Sequence, residues 1–178
     1  MDDAVEFGSR WYLILLNLLL FARGMDLLST WLATPRLALE ANPIARRLGW
    51  KWGLPFNVVV CAVFAAWPLP AVIISTTSVL VAARNFQSVW LMRTLGEEAY
   101  RQWMVERIHE TQPVLYLGCL LAQVALFGTV GGGLMFFSRD WVPFGIGTGI
   151  LAYAVAVLLF TLISLWRIRR ESRSMDAN

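Results

Sequence analysis

Charge is scarce in this chain: Asp, Glu, Lys and Arg together make up 15% of its 178 residues, against 58% that are hydrophobic. No polar stretch is long enough to build a water-soluble domain with its own core, which excludes the ordinary soluble enzyme and binding classes. Histidine occurs once. Glu106-Arg-Ile-His109 has the i, i+3 spacing of carboxylate-bridged metal proteins, but the second copy such sites need is missing. The two cysteines, Cys61 and Cys119, sit mid-way along apolar runs, without redox or metal spacing, and read as small hydrophobes. A Gly-x-Ser-x-Gly elbow, a phosphate-binding loop and a dinucleotide fingerprint are all absent. The sequence therefore points to a location and an architecture, and names no cofactor.

What fills the chain is apolar sequence, with a mean hydropathy of +0.59. Five runs can be drawn, at residues 11–34, 54–67, 69–92, 113–137 and 141–166. They are long and do not alternate, so they predict helices and not barrel strands. The first run follows an acidic start (Asp2, Asp3, Glu6) and lacks a small-residue cleavage site, so it is expected to stay in the mature chain. The expected fold is an all-α, polytopic transmembrane bundle forming a single membrane domain over residues 1–178. The second run is the weak one: Pro55, Pro68 and Pro70 bound a helix of about 15 residues, or ~22 Å, short for a bilayer. Residues 54–83 could instead dip in and out, giving three spans plus a re-entrant pair.

Eleven of the 15 Lys and Arg fall in the first connection, the third connection and the C-terminal tail. The positive-inside rule then sets the N-terminus outside and the C-terminus inside, with 167–178 a basic cytoplasmic tail, in a bacterial-type inner membrane. Tryptophans mark both ends of the runs, as interfacial anchors do. The pI of about 9.2 reflects this asymmetry, so lipid is an expected partner and nucleic acid is not. Thr94-Leu-Gly-Glu97 has the form of a capping box and predicts an interfacial amphipathic helix over 94–111, with Leu95, Ala99, Trp103 and Met104 on its apolar face. Gly128 with Gly132, and Gly145 with Gly149, predict close packing between the last two spans.

Charge inside a span needs a reason. Arg23, Asp26 and Thr30 share one helical face, with Ser29 adjacent. Arg84 lies about as deep in the third span as Asp26 does in the first, each eight residues, or ~12 Å, from the inner end. Asn85, Gln87 and Ser88 follow it. Asp26, Ser29, Thr30, Arg84, Asn85 and Ser88 form a candidate intramembrane cluster, in which Arg84 neutralises Asp26 and Arg23 competes for it. Glu40, Asn42 and Pro43 lie just beneath, at the cytoplasmic edge. Such oxygens suit a cation or proton, with Asp26, Glu40, Glu106 and His109 the candidate metal ligands. Equally, the cluster can serve only to lock two helices together.

Asp26-x-x-Ser29-Thr30 followed by Glu40-x-Asn42-Pro43 resembles the signature of a family of small multi-pass prokaryotic membrane proteins of unknown function. The resemblance covers residues 26–43; it implies shared positions at Asp26, Thr30, Glu40, Asn42 and Pro43, and no activity. Three functions remain. The first is an accessory or scaffold subunit of a larger membrane complex, meeting membrane-protein partners or further copies of itself. The second is a cation- or proton-coupled transporter with its site near the cytoplasmic face, and the third is a membrane enzyme acting on lipid.

Overall fold

A computed structural model describes residues 4–37 and 43–175, with side chains described for 4–37 and 46–168. Among the described residues all regular structure is helical: α1 (Arg10–Ala33), α2 (Pro43–Phe64), α3 (Pro68–Leu95), α4 (Glu97–Glu110), α5 (Pro113–Phe137) and α6 (Trp141–Met175). Four of them, α1, α3, α5 and α6, are long and apolar enough to cross a membrane. The boundaries follow local chemistry. The Ser9 hydroxyl caps α1 by accepting from the Tyr12 amide at 3.2 Å, and Pro35 follows its last turn. Prolines open α3 and α5, where the missing N–H has no helical partner in any case.

Gly96 divides α3 from α4. Its φ of 82° is a conformation that a side chain disfavours. The predicted capping box does not form: Thr94 bonds back to the Trp90 carbonyl at 2.8 Å, and α4 starts without a side-chain cap. The Glu97 carboxylate instead accepts from the Thr34 hydroxyl at 3.0 Å and from the Arg36 amide at 2.9 Å, across to the end of α1. The helix thus begins at Glu97, not at 94. It turns Tyr100, Met104 and Ile108 inward, while Leu95 and Trp103 are exposed.

Helices α1 and α3 run side by side in the same direction. At one end Tyr12, Leu15 and Leu19 cluster with Ala71; at the other, Thr34 meets Glu97 just past the end of α3. Buried or half-buried positions on α1 recur as Tyr12, Leu15, Leu19, Ala22, Asp26, Ser29 and Ala33, and on α3 as Ala71, Ser75, Ser78, Ala82 and Asn85. Alternating steps of three and four residues make a straight seam, and the small side chains on α3 let the two backbones approach.

Because α1 and α3 are parallel, the chain between them must travel back, and α2 makes that return. Trp50 Nε1 donates to the Pro35 carbonyl at 2.8 Å, the Tyr12 hydroxyl to the Ala62 carbonyl at 3.0 Å, and the Val5 amide to the Ala66 carbonyl at 2.7 Å. A break at Gly49 (φ 63°) lets α2 bend into this path. Helix α3 continues unbroken from Pro68 to Leu95, so residues 69–83 are not a short helix of their own.

Helices α5 and α6 form an antiparallel pair across a tight Ser138-Arg139-Asp140 turn, with Ser138 bridging to Asp140. The predicted glycine pairing shifts by one position: a Cβ on Gly131 would lie 2.8 Å from the Gly147 carbonyl oxygen, whereas Gly128 and Gly132 face open space. Gly145 and Gly149 pack on α3, against Leu69, Val72, Ile73 and Thr76, and not on α5. Thr77 Oγ1 also donates to the Gly149 carbonyl at 3.0 Å. α6 thereby joins the two helix pairs.

Candidate functional site

Arg23, Asp26, Ser29 and Thr30 of α1 face the α2 and α3 side of the molecule as a ladder. On its first rung the Arg23 guanidinium reaches three helices at once. Nη1 donates to Asp26 Oδ2 at 2.8 Å and to Ser78 Oγ at 3.2 Å. Nε donates to Asn57 Oδ1 at 2.8 Å, and Nη2 donates to the same oxygen. Asn57 is anchored in turn, its Nδ2 donating to the Gly53 carbonyl at 2.7 Å. The side chains of Arg23 and Asp26 are 28% and 15% exposed, so this ion pair is largely withdrawn from the surroundings.

One turn on, the Ser29 hydroxyl donates to the Asp26 carbonyl at 2.8 Å, and Asn85 Nδ2 sits 3.2 Å from both Ser29 Oγ and Thr30 Oγ1. The last rung is Glu97, holding Thr34 and the Arg36 amide. Above the ladder Ser75 is buried, and its hydroxyl has no hydrogen-bond partner among the described residues.

No protein-family model, curated protein or solved structure matches this chain. The site is therefore read from its own geometry.

Of the predicted cluster, the fold brings together Asp26, Ser29, Thr30 and Asn85. Arg84 is not among them: it is exposed, and the titratable group it influences is Tyr100 of α4. The aspartate pairs with Arg23 because three residues on one helix bring the two side chains together with no further condition, whereas α3 turns Asn85 inward and Arg84 outward. Ser88 is half-buried on α3. Glu40 and Asn42 lie outside the described residues, and Pro43 begins α2. His109, Glu106 and Glu110 are exposed on α4, with Glu110 held by Arg107 at 2.7 Å. Among the described residues no group of three or more His, Cys, Asp or Glu side chains could hold a metal ion.

Three partners were missed by sequence reasoning. Asn57 is a lone amide in an apolar run, and that isolation was the available signal. Ser78 belongs to the small-residue repeat of α3. Glu97 was assigned to a local cap.

Proposed function

We propose that this chain is an integral protein of a bacterial-type inner membrane, crossing it five times, and that it serves as an accessory or scaffold subunit of a larger membrane assembly. Four crossings would be α1, α3, α5 and α6, with α2 the short return that parallel α1 and α3 require. The ends of α1, α3 and α6, together with α4, share one side with Arg36, Arg93, Arg101, Arg107 and Arg167, which favours that side as cytoplasmic. Exposed Trp31, Trp52, Trp90 and Trp166 rings near that side, and Trp11 and Trp67 at the other, suit two interfaces.

The observation that carries the scaffold reading is the Arg23 guanidinium, bonded at once to Asp26, Asn57 and Ser78. The polar groups around Asp26 are engaged with one another, which fits a lock between helices. A coupled cation would need a place at the Asp26 carboxylate, and Arg23 is already there, which disfavours transport. The Asp26 carboxylate is paired with a guanidinium, which does not favour its acting as a base in an enzyme on lipid. Meanwhile α5 turns Leu121, Leu126, Val130, Phe136 and Phe137 outward, a surface for lipid or for partner helices.

Purification of the full chain in mild detergent, followed by crosslinking and mass spectrometry, tests the reading. Constant co-elution with larger membrane proteins is the expected result. A monodisperse particle of this chain alone, carrying stoichiometric metal and losing it on Asp26→Asn, would replace the scaffold with an ion site.

A further inference from the structure

Past the exposed Trp31 and Trp90 rings, the ends of α1 and α3 and the first turn of α4 enclose a cleft of about 590 Å³. That volume falls within the roughly 300–1,000 Å³ usual for sites that take a small molecule. One wall is the corner that follows α1, and it is pinned from several directions. The Glu97 carboxylate accepts from the Thr34 hydroxyl and the Arg36 amide, while the Pro35 carbonyl accepts from Trp50 Nε1. Leu37, buried at 8% exposure, holds a φ of 57°, a left-handed conformation that a leucine keeps only where its surroundings fix it. The corner is thus shaped independently of any ligand.

Both signs of charge line this cleft. Arg36 and Arg93 bring guanidiniums, Glu97 and Glu98 bring carboxylates, and Pro35 and Met92 add apolar surface. The Arg93 guanidinium lies 5.8 Å from the centre of the Trp31 ring, which holds it at the level of that ring. Glu97 is committed to the corner, but the side chains of Arg36, Arg93 and Glu98 form no hydrogen bond or ion pair with a described residue. Two cations and two anions leave the lining without net charge. A simple anion gains little there, whereas a ligand with one charge of each sign can meet both. Depth favours a lipid as its source, because tryptophan rings settle at the interface where phospholipid headgroups lie.

We infer that this cleft seats the headgroup of a zwitterionic phospholipid bearing a primary ammonium, with Arg36 and Arg93 meeting its phosphate and Glu98 its ammonium. The inference rests on the membrane reading given above and adds a defined lipid position where α1, α3 and α4 meet. The arginines offer planar N–H donors to phosphate oxygens. Glu98 distinguishes a primary ammonium, which donates hydrogen bonds, from a quaternary one, which has no N–H.

Native mass spectrometry of the full-length protein in detergent, titrated with phosphatidylethanolamine, phosphatidylcholine or phosphatidylglycerol, tests it. Wild type should retain phosphatidylethanolamine about fivefold better than phosphatidylcholine. Glu98→Gln should cut that preference to less than about twofold, since it removes the charged acceptor. Arg93→Gln should weaken retention of both lipids roughly fivefold, as expected for one basic group at a headgroup. Glu106→Gln and Arg107→Gln, exposed on α4 and outside the lining of the cleft, should change either quantity by less than about twofold.

Equal retention of phosphatidylethanolamine and phosphatidylcholine overturns the inference, as does a preference for phosphatidylglycerol, which would make the cleft a site for net negative charge. Equal effects of Glu98→Gln and Glu106→Gln would overturn it in favour of diffuse charge. Displacement of the lipid by glycerophosphoethanolamine at matching concentration would assign the cleft to a soluble ligand instead. The membrane reading has a separate test: release of the protein from vesicles by alkaline carbonate without detergent would defeat it. Failure of the lipid site alone would leave it standing.

Discussion

Two helix pairs in this molecule achieve close approach by different chemistry. The parallel α1 and α3 meet through a ladder of hydrogen bonds, one of them from the Arg23 that is ion-paired with Asp26 on its own helix, with small side chains between them. The antiparallel α5 and α6 meet where Gly131 and Gly147 bring backbone to backbone, with Leu120, Phe127, Tyr153 and Val157 packed alongside. A polar ladder fixes register, because each donor has a named acceptor. A glycine contact fixes distance, because any Cβ must collide.

The largest effect should come from the glycine side. Gly147→Ala would set a Cβ 2.6 Å from the Gly131 carbonyl oxygen and 2.9 Å from Met135 Cγ. A loss of about 3 kcal/mol is expected, the upper range for overpacking, and thermal unfolding in detergent would measure it. A change under about 1 kcal/mol would mean that α5 and α6 separate freely, and the contrast between the pairs would collapse.

Next is the ion pair. Arg23→Gln should lower stability by about 2 kcal/mol, discounted for partial exposure, since it removes the guanidinium from Asp26, Asn57 and Ser78 together. Arg84→Gln should stay within about 0.5 kcal/mol. The reverse order in the same unfolding measurement would show that the aspartate has the other arginine as its partner.

Asn85→Ala follows, with a loss of about 1 kcal/mol for two inter-helix bonds of the modest strength usual between membrane helices. Gly128→Ala and Gly132→Ala should be neutral, or should stabilise by about 0.5 kcal/mol, as nothing lies within 4 Å of either added Cβ. The smallest signature is alkaline. Tyr100 is raised above the ordinary 10.0, so its contribution is fully present below pH 10 and lost as pH rises through the folded value. Comparing the pH dependence of unfolding in wild type and Tyr100→Phe would isolate it.

Much of the helical architecture was legible, because apolar runs bounded by Pro, Gly and Trp leave few alternatives. The return path was not: the run at 54–67 is too short to declare itself, and only the parallel course of α1 and α3 gives it a direction. Within the site, Asp26, Ser29, Thr30 and Asn85 could be read as a stripe, but depth alone could not choose between two arginines. Helix rotation decided that, turning Asn85 inward. The same holds for the glycines. Leu120, Val124, Phe127 and Gly131 continue one stripe at alternating steps of four and three, so the bulky members determined which glycine meets α6. A motif of two glycines four apart carries no information about rotation.

The short return helix has a consequence for biogenesis. If α2 is the short crossing proposed above, its Asn57 amide and its internal Pro55 would make it partition poorly into a bilayer alone, so it would settle only once α3 closes over the contact between Arg23 and Asn57. A nascent chain halted after residue 67 should therefore leave α2 accessible to water-soluble labels, and elongation through α3 should withdraw it. Insertion would then be a property of a three-helix unit, decided late, and not of successive segments judged one at a time.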